Sequence, residues 1–147
     1  MTTPPDPQPA VEPKSSPLRV IIVDDAPSTR RLLKAVIDCV PSLEVVDEAD
    51  SGRTAIESAE RLRPDVVLLD LSLPDIDGAL VLPELLRVAP GVRIVILSHT
   101  SRSAGPELVV AGATGFIDKG LTPYALVDQL STVLGVPLTI ATTLPQP

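Results

Sequence analysis

The chain reads as an α/β protein, a doubly wound five-stranded parallel sheet with strand order 2-1-3-4-5. Three observations carry that reading. Short apolar runs alternate along the chain with stretches of helical periodicity. Three of the runs, Val20-Ile21-Ile22-Val23, Val66-Val67-Leu68-Leu69 and Val92 to Leu97, are apolar on both faces, as strands inside a parallel sheet covered on both sides must be. Finally, these three runs and a fourth, Gly115-Phe116-Ile117, end on residues that can do phosphate chemistry: Asp24-Asp25, Asp70, Ser98 and Asp118-Lys119. Parallel strands bring their carboxyl ends to one edge, where ligands bind in open sheets of this kind.

Each element has its own local warrant. After the first strand, Pro27 and Ser28 start a helix whose Leu32, Leu33, Val36, Ile37 and Val40 recur at three- and four-residue spacing on one face. Pro41-Ser42 ends it, and Leu43 to Ala49 follows as a strand that alternates apolar and acidic residues. Asp50 or Ser51 caps a second helix through Arg63, with Ala55, Ile56, Ala59 and Leu62 inward, and Pro64-Asp65 closes it before the next strand. The loop from Leu71 to Gly78 leads to a third helix carrying Leu82, Leu85, Leu86 and Val88-Ala89; Pro83 predicts that this helix starts late or bends. Pro90-Gly91 turns the chain into the fourth strand. A weak fourth helix is predicted from about Ala104 to Ala111, shortened by Gly105 and Pro106. The short strand Thr114 to Ile117 and a final helix from Thr122, a good cap with Pro123 at the first turn, to Leu134 complete the pattern. Right-handed crossovers then give the flavodoxin-like strand order.

Composition bounds the possibilities further. A chain of 147 residues suffices for one domain with a real core. Its 44% apolar and 21% charged content is that of a globular protein, and with Phe116 and Tyr124 as the only aromatics the core is aliphatic. A net charge of -7 without any Lys/Arg cluster argues against nucleic acid as a partner. The lone Cys39 cannot form an internal disulfide and suits a reducing compartment as a small core residue. No apolar stretch approaches a membrane span and no secretory leader is evident, so a cytoplasmic protein is expected. Residues 1–17, with Pro4, Pro5, Pro7, Pro9, Pro13 and Pro17, read as a disordered arm, 18–134 as the domain and 135–147 as a tail. Within the tail, Val136 to Ile140 is placed against the domain, while Pro145-Gln146-Pro147 frays.

Three carboxylates, a hydroxyl and an ammonium at one sheet edge suit a divalent metal and a phosphoryl group. Two carboxylates about 5 Å apart repel by roughly 3 kcal/mol at an effective dielectric near 20, so adjacent acids after a buried strand favour a cation between them. Val-Asp-Asp at 23–25, Leu-Leu-Asp-Leu-Ser-Leu-Pro at 68–74 with Asp77-Gly78, Ile-Leu-Ser at 96–98 and Gly-Ala-Thr-Gly-Phe-Ile-Asp-Lys at 112–119 occur in order at strand-plus-helix spacing. On these segments the chain resembles the receiver domain of two-component response regulators over residues 18–134. The resemblance implies the receiver fold, with Asp70 as phosphoacceptor and Mg2+ held by Asp24, Asp25, Asp70 and the backbone carbonyl of Ser72. It further implies Lys119 as a phosphate contact, Ser98 as a switch hydroxyl and Phe116 as the switch aromatic. A sensor histidine kinase or phosphotransfer protein is the implied phosphodonor, and signalling by protein–protein contact the output. A homodimer is allowed, and no enzymatic activity is expected beyond self-phosphorylation and autodephosphorylation at Asp70.

The chain departs from the family pattern at His99, whose bulk follows Ser98, and at Gly120, where many members carry proline, which predicts a looser lysine loop. Nothing after Leu134 is long enough for an output domain, so a stand-alone receiver, or one separated from its output, is expected. The competing reading is a pseudo-receiver that binds partners without phosphorylation. A hydrolase with an aspartyl-phosphate intermediate needs Asp-x-Asp after the first strand, where this chain has Asp24-Asp25-Ala26-Pro27. A flavin-binding module wants a Ser/Thr/Gly phosphate loop in that place, which here is acidic.

Overall fold

The computed structural model describes residues 16–73, 75, 78–98 and 111–141. In chain order it contains β1 (Leu18–Val23), α1 (Pro27–Asp38), β2 (Leu43–Ala49), α2 (Gly52–Leu62), β3 (Val66–Asp70), α3 (Gly78–Val88), β4 (Arg93–Ser98), β5 (Gly115–Asp118) and α4 (Pro123–Leu134). The strands form one parallel sheet in the order β2-β1-β3-β4-β5, the order read from the sequence. The helix expected from Ala104 falls outside the described residues, apart from a turn at Ala111, as do His99, most of the proline-rich arm and the extreme carboxyl terminus.

The three fully apolar runs occupy the three central positions, and every residue of β3 is buried. Two aliphatic layers flank the sheet. Leu33, Val36 and Ile37 of α1, Val40 just after it, and Leu126, Val127, Leu130 and Leu134 of α4 pack on Val20, Ile22, Leu68, Val95 and Leu97. On the other face Ala55 and Ala59 of α2 and Val81, Leu82, Leu85 and Val88 of α3 pack on Ile21, Val67, Leu69, Ile94 and Ile96. The period-two alternation of strand side chains thus feeds both layers from one strand. At the sheet edge β2 pairs with β1 through a one-residue slip, Val20 opposite Val45 and Ile21 opposite Asp47. That slip is why the apolar and acidic residues of β2 do not alternate cleanly.

Helix ends follow the sequence signals. Ser51 accepts a hydrogen bond from Thr54 N at 3.2 Å, and Thr122 accepts one from Ala125 N at 3.2 Å. Gly135, at φ 70°, ends α4 in the left-handed conformation that glycine adopts without penalty. Two helix ends also depend on distant residues. Arg19 donates to the carbonyls of Leu62 at 2.6 Å and Arg63 at 3.1 Å, and Arg93 donates to Leu134 O at 2.9 Å. Each arginine stands at the start of a strand and neutralises the carboxyl end of a helix packed beside it.

One inward-face expectation needs correction. Leu32 was placed on the inward face of α1 but is 47% exposed. The buried stripe is Leu33, Val36, Ile37 and Val40, and Leu32 sits at its margin, beside Leu121, Pro123 and Lys119. Ser58 of α2 is buried although polar, because its hydroxyl bonds to the Asp47 carboxylate on β2. Of the two outcomes read from Pro83, a late start is not seen, since the third helix begins at Gly78, five residues ahead of it. The segment after α4 packs as expected, with Val136, Leu138 and Ile140 against the α1/α4 layer and Ala141 N donating to Cys39 O at 2.8 Å.

Gly112 stands at φ 120°, and a Cβ there would lie 2.6 Å from Leu86 Cδ1. The leucine tip can move, but the backbone conformation is strained for any side chain. Gly112→Ala is therefore expected to destabilise the fold by about 1–3 kcal/mol. A urea unfolding midpoint unchanged from wild type would refute this.

Candidate functional site

The parallel topology brings the ends of β1, β3, β4 and β5 to one edge, where Val23 pairs with Leu69, Asp70 with Leu97 and Ser98 with Asp118. At that edge one carboxylate oxygen from each of Asp24, Asp25 and Asp70 falls within 4.8 Å of the others. Asp24 and Asp70 are buried, at 1% and 3% exposure, while Asp25 faces solvent. Lys119 arrives from the β5–α4 loop, its Nζ 2.7 Å from Asp24 Oδ2 and 3.2 Å from Asp70 Oδ1.

The acids are held in place by local backbone. Asp24 Oδ1 accepts from Ala26 N at 2.9 Å, and Asp70 Oδ1 accepts from Ser72 N at 3.1 Å, so each carboxylate caps the turn that follows its own strand. Asp24 Oδ2 is fully buried and has no aligned hydrogen-bond donor among the described residues; only the ammonium of Lys119 approaches it, as an ion pair. Burial works against the charge on Lys119, but the Asp24 and Asp70 carboxylates outweigh it and hold the ammonium above the ordinary lysine pKa. The lysine is thus firmly cationic at neutral pH.

One lysine cannot balance three carboxylates. The donor set is all oxygen and carries excess negative charge, with two of its three carboxylates buried. These properties fit a hard divalent cation such as Mg2+. Ser98 is buried at the end of β4, and its carbonyl accepts from Lys119 N at 3.2 Å. Phe116, on β5 opposite Ile96, is partly buried against the α2/α3 layer. Ser72 is exposed in the loop after Asp70. In the lysine loop Gly120 N–H donates to Asp118 Oδ1 at 2.7 Å, and Leu121 N lies 3.4 Å from Asp118 O.

Two supporting residues escaped the sequence reading. Asp75 accepts from Gly52 N at 2.8 Å and Arg53 N at 3.1 Å, so the loop after Asp70 caps the start of α2. Arg30 of α1 donates to the backbone carbonyl of Asp24 at 2.6 Å. An Asp in a loop and an Arg on a helix carry no local signal for such roles, since the Asp75 partners lie 22 and 23 residues upstream.

Similarity to known proteins agrees with this geometry. Residues 20–131 match the response regulator receiver domain family. The chain is 36% identical over 116 residues to the chemotaxis protein CheY of Thermotoga maritima, covering 78% of this chain and 96% of that protein. It is 38% identical over 104 residues to a protein-glutamate methylesterase/protein-glutamine glutaminase of Alkalilimnicola ehrlichii, covering 69% of this chain but only 27% of that longer enzyme. Among solved structures, the signal receiver domain of the putative response regulator NarL from Mycobacterium tuberculosis superposes with a TM-score of 0.73 at 31% identity, over 82% of this chain and 98% of that one. Among the described residues, no helix is long and apolar enough to cross a membrane. With an acidic pocket at the carboxyl edge of a 2-1-3-4-5 sheet and a family match across nearly all of that sheet, the chain belongs to the response regulator receiver domain family of two-component signalling.

Proposed function

We propose that this receiver is a phosphorylatable switch in which Asp70 is the phosphoacceptor. The observation that supports this most directly is the meeting of Asp24, Asp25, Asp70 and Lys119 in one pocket drawn from three strand ends. A carboxylate oxygen of Asp70 attacks the phosphorus of a phosphohistidine on a sensor kinase or phosphotransfer protein. The P–N bond breaks, and the imidazole leaves and takes up a proton. Positioning and charge neutralisation are the main requirements of such a transfer. Asp24, Asp25, Asp70 and the Ser72 carbonyl would hold Mg2+, which supplies positive charge against the phosphoryl oxygens. Lys119 adds a point charge beside Asp70, and releases part of its pairing with Asp70 as the carboxylate is esterified.

The switch follows from differential contacts. Ser98 and Lys119 have a phosphoryl group to bind in only one of the two states, so their contacts bias the equilibrium toward it. Phe116, on the strand beside Ser98, then reorients with the β4–β5 edge and changes the surface offered to a partner. Output by protein–protein contact in the cytoplasm completes this reading, and the chain's own chemistry is confined to gaining and losing the phosphoryl group at Asp70.

Incubation with Mg2+ and a small-molecule phosphodonor, followed by intact mass measurement, tests the proposal. One acid-stable, base-labile phosphoryl adduct is expected with Mg2+ and none with chelator. No adduct in either condition, together with a beryllofluoride mimic that leaves the NMR spectrum unshifted, would overturn it in favour of a constitutive binding module.

A further inference from the structure

We infer that Arg30 is a positioning residue for the cation site: its guanidinium fixes the peptide joining Asp24 to Asp25, and thereby the relative placement of their two carboxylates. The inference rests on the proposal that these acids hold Mg2+.

Four contacts hold Asp24. Its N–H donates to Ala49 O at 3.0 Å, its Oδ1 accepts from Ala26 N at 2.9 Å, and its Oδ2 meets Lys119 Nζ at 2.7 Å. The fourth contact is Arg30 Nη1 to the Asp24 carbonyl, at 2.6 Å. That carbonyl belongs to the peptide plane between the two acids, so fixing it limits rotation of both. Arg30 is itself constrained at each end. Its backbone N–H donates to Ala26 O at 3.1 Å in the first turn of α1, and its Nε lies 3.3 Å from Glu48 Oε1 on β2. The arginine side chain is only 18% exposed, and the planar fork lets one edge serve the carboxylate and another the carbonyl. A chain of contacts thus runs from β2 through Glu48 and Arg30 to the Asp24–Asp25 turn.

This support has mechanical value because Asp25 is solvent-exposed and is repelled by both buried acids. Without a fixed peptide plane it swings away from the cluster, and Mg2+, which demands near-ideal octahedral geometry, loses a prearranged ligand. A through-space effect of the guanidinium charge would act in the opposite direction, since a cation near the pocket repels Mg2+. The two roles therefore predict opposite signs.

The test is Mg2+ titration calorimetry on the whole chain, well below the unfolding temperature, in low and high salt. Arg30→Ala is expected to weaken Mg2+ binding about tenfold, with the ratio kept at high salt because geometry is not screened. Arg30→Lys, which keeps the charge and one donor but not the fork, is expected between wild type and Arg30→Ala. Arg30→Ala binding as tightly as wild type or tighter would overturn the inference. A purely structural arginine would lower the urea midpoint and leave the Mg2+ dissociation constant of the folded protein unchanged, which would also overturn it. Failure of the wild type itself to bind Mg2+ would instead remove the reading on which the inference stands, and the inference with it.

Discussion

An Asp70→Ala chain takes up no phosphoryl group under conditions that modify the wild type, and Asp70→Asn unfolds at a higher urea concentration than wild type when metal is absent. The first result is expected because Asp70 alone joins a buried strand end to contacts with both Lys119 and the Ser72 N–H. Asp24 has its carboxylate committed to Ala26 N and Lys119, and Asp25 sits in the solvent-exposed turn, while the lysine pairs with Asp24 and Asp70. A phosphoryl adduct persisting on Asp70→Ala would transfer the acceptor role to one of these and refute the assignment. The second result follows from charge. Carboxylate oxygens within 4.8 Å of each other repel by roughly 3 kcal/mol per pair at an effective dielectric near 20. Asn at this position removes two such repulsions and one attraction to Lys119, while its carbonyl still accepts from Ser72 N. With the share of exposed Asp25 discounted for solvent screening, these terms nearly cancel, because the pair with Lys119 at 3.2 Å is worth roughly 5 kcal/mol at the same dielectric. The net gain of about 1–2 kcal/mol comes from no longer burying a charged carboxylate. Added Mg2+ should close the gap by stabilising wild type alone. A urea midpoint for Asp70→Asn below that of metal-free wild type would contradict this account.

Ile96→Ala is expected to cost about 3 kcal/mol, within a range of 2–5 for buried aliphatic truncations. Ile96 has no exposed surface, lies in β4 between Leu69 and Phe116 in register, and faces the layer formed by α2 and α3. Neighbours on two strands prevent collapse into the gap, so the lost transfer energy and the cavity add. Against a total stability of 5–15 kcal/mol typical of single domains, the melting temperature should fall by roughly 10 °C. Leu32→Ala on α1 is the matched control. Its side chain is 47% exposed, and a shift below about 2 °C is expected. Equal melting shifts for the two variants would show that burial does not set the cost.

The strands, their order and the acidic pocket were legible in the sequence because each rests on a short-range signal. A run apolar on both faces demands a central place in a covered sheet, and β1, β3 and β4 hold those places. Proline at the first turn and Ser or Thr at the cap position mark helix starts within one residue, as at Ser51 and Thr122. The pocket followed because parallel strands deliver their last residues to one edge, so Asp24, Asp70 and Lys119 had to meet there whatever the details of packing. Helical periodicity was coarser. It could not tell that Leu32 lies at the margin of the buried stripe, since that depends on how α1 sits beside α4 and the lysine loop.

By itself, then, the sequence determined the fold class, the strand order and which carboxylates and lysine share an edge, since periodicity, strand burial and parallel topology are properties of segments. Only the tertiary structure decided what holds those groups in place. Asp75 caps α2 from the loop after Asp70, Arg19 and Arg93 close helices packed beside their strands, Ser58 is buried because Asp47 faces it, and Arg30 reaches back to the Asp24 carbonyl. The physical reason is range. A hydrogen bond needs two groups within about 3 Å, and for residues tens of positions apart that distance is set by the packing of whole elements, which local composition does not encode.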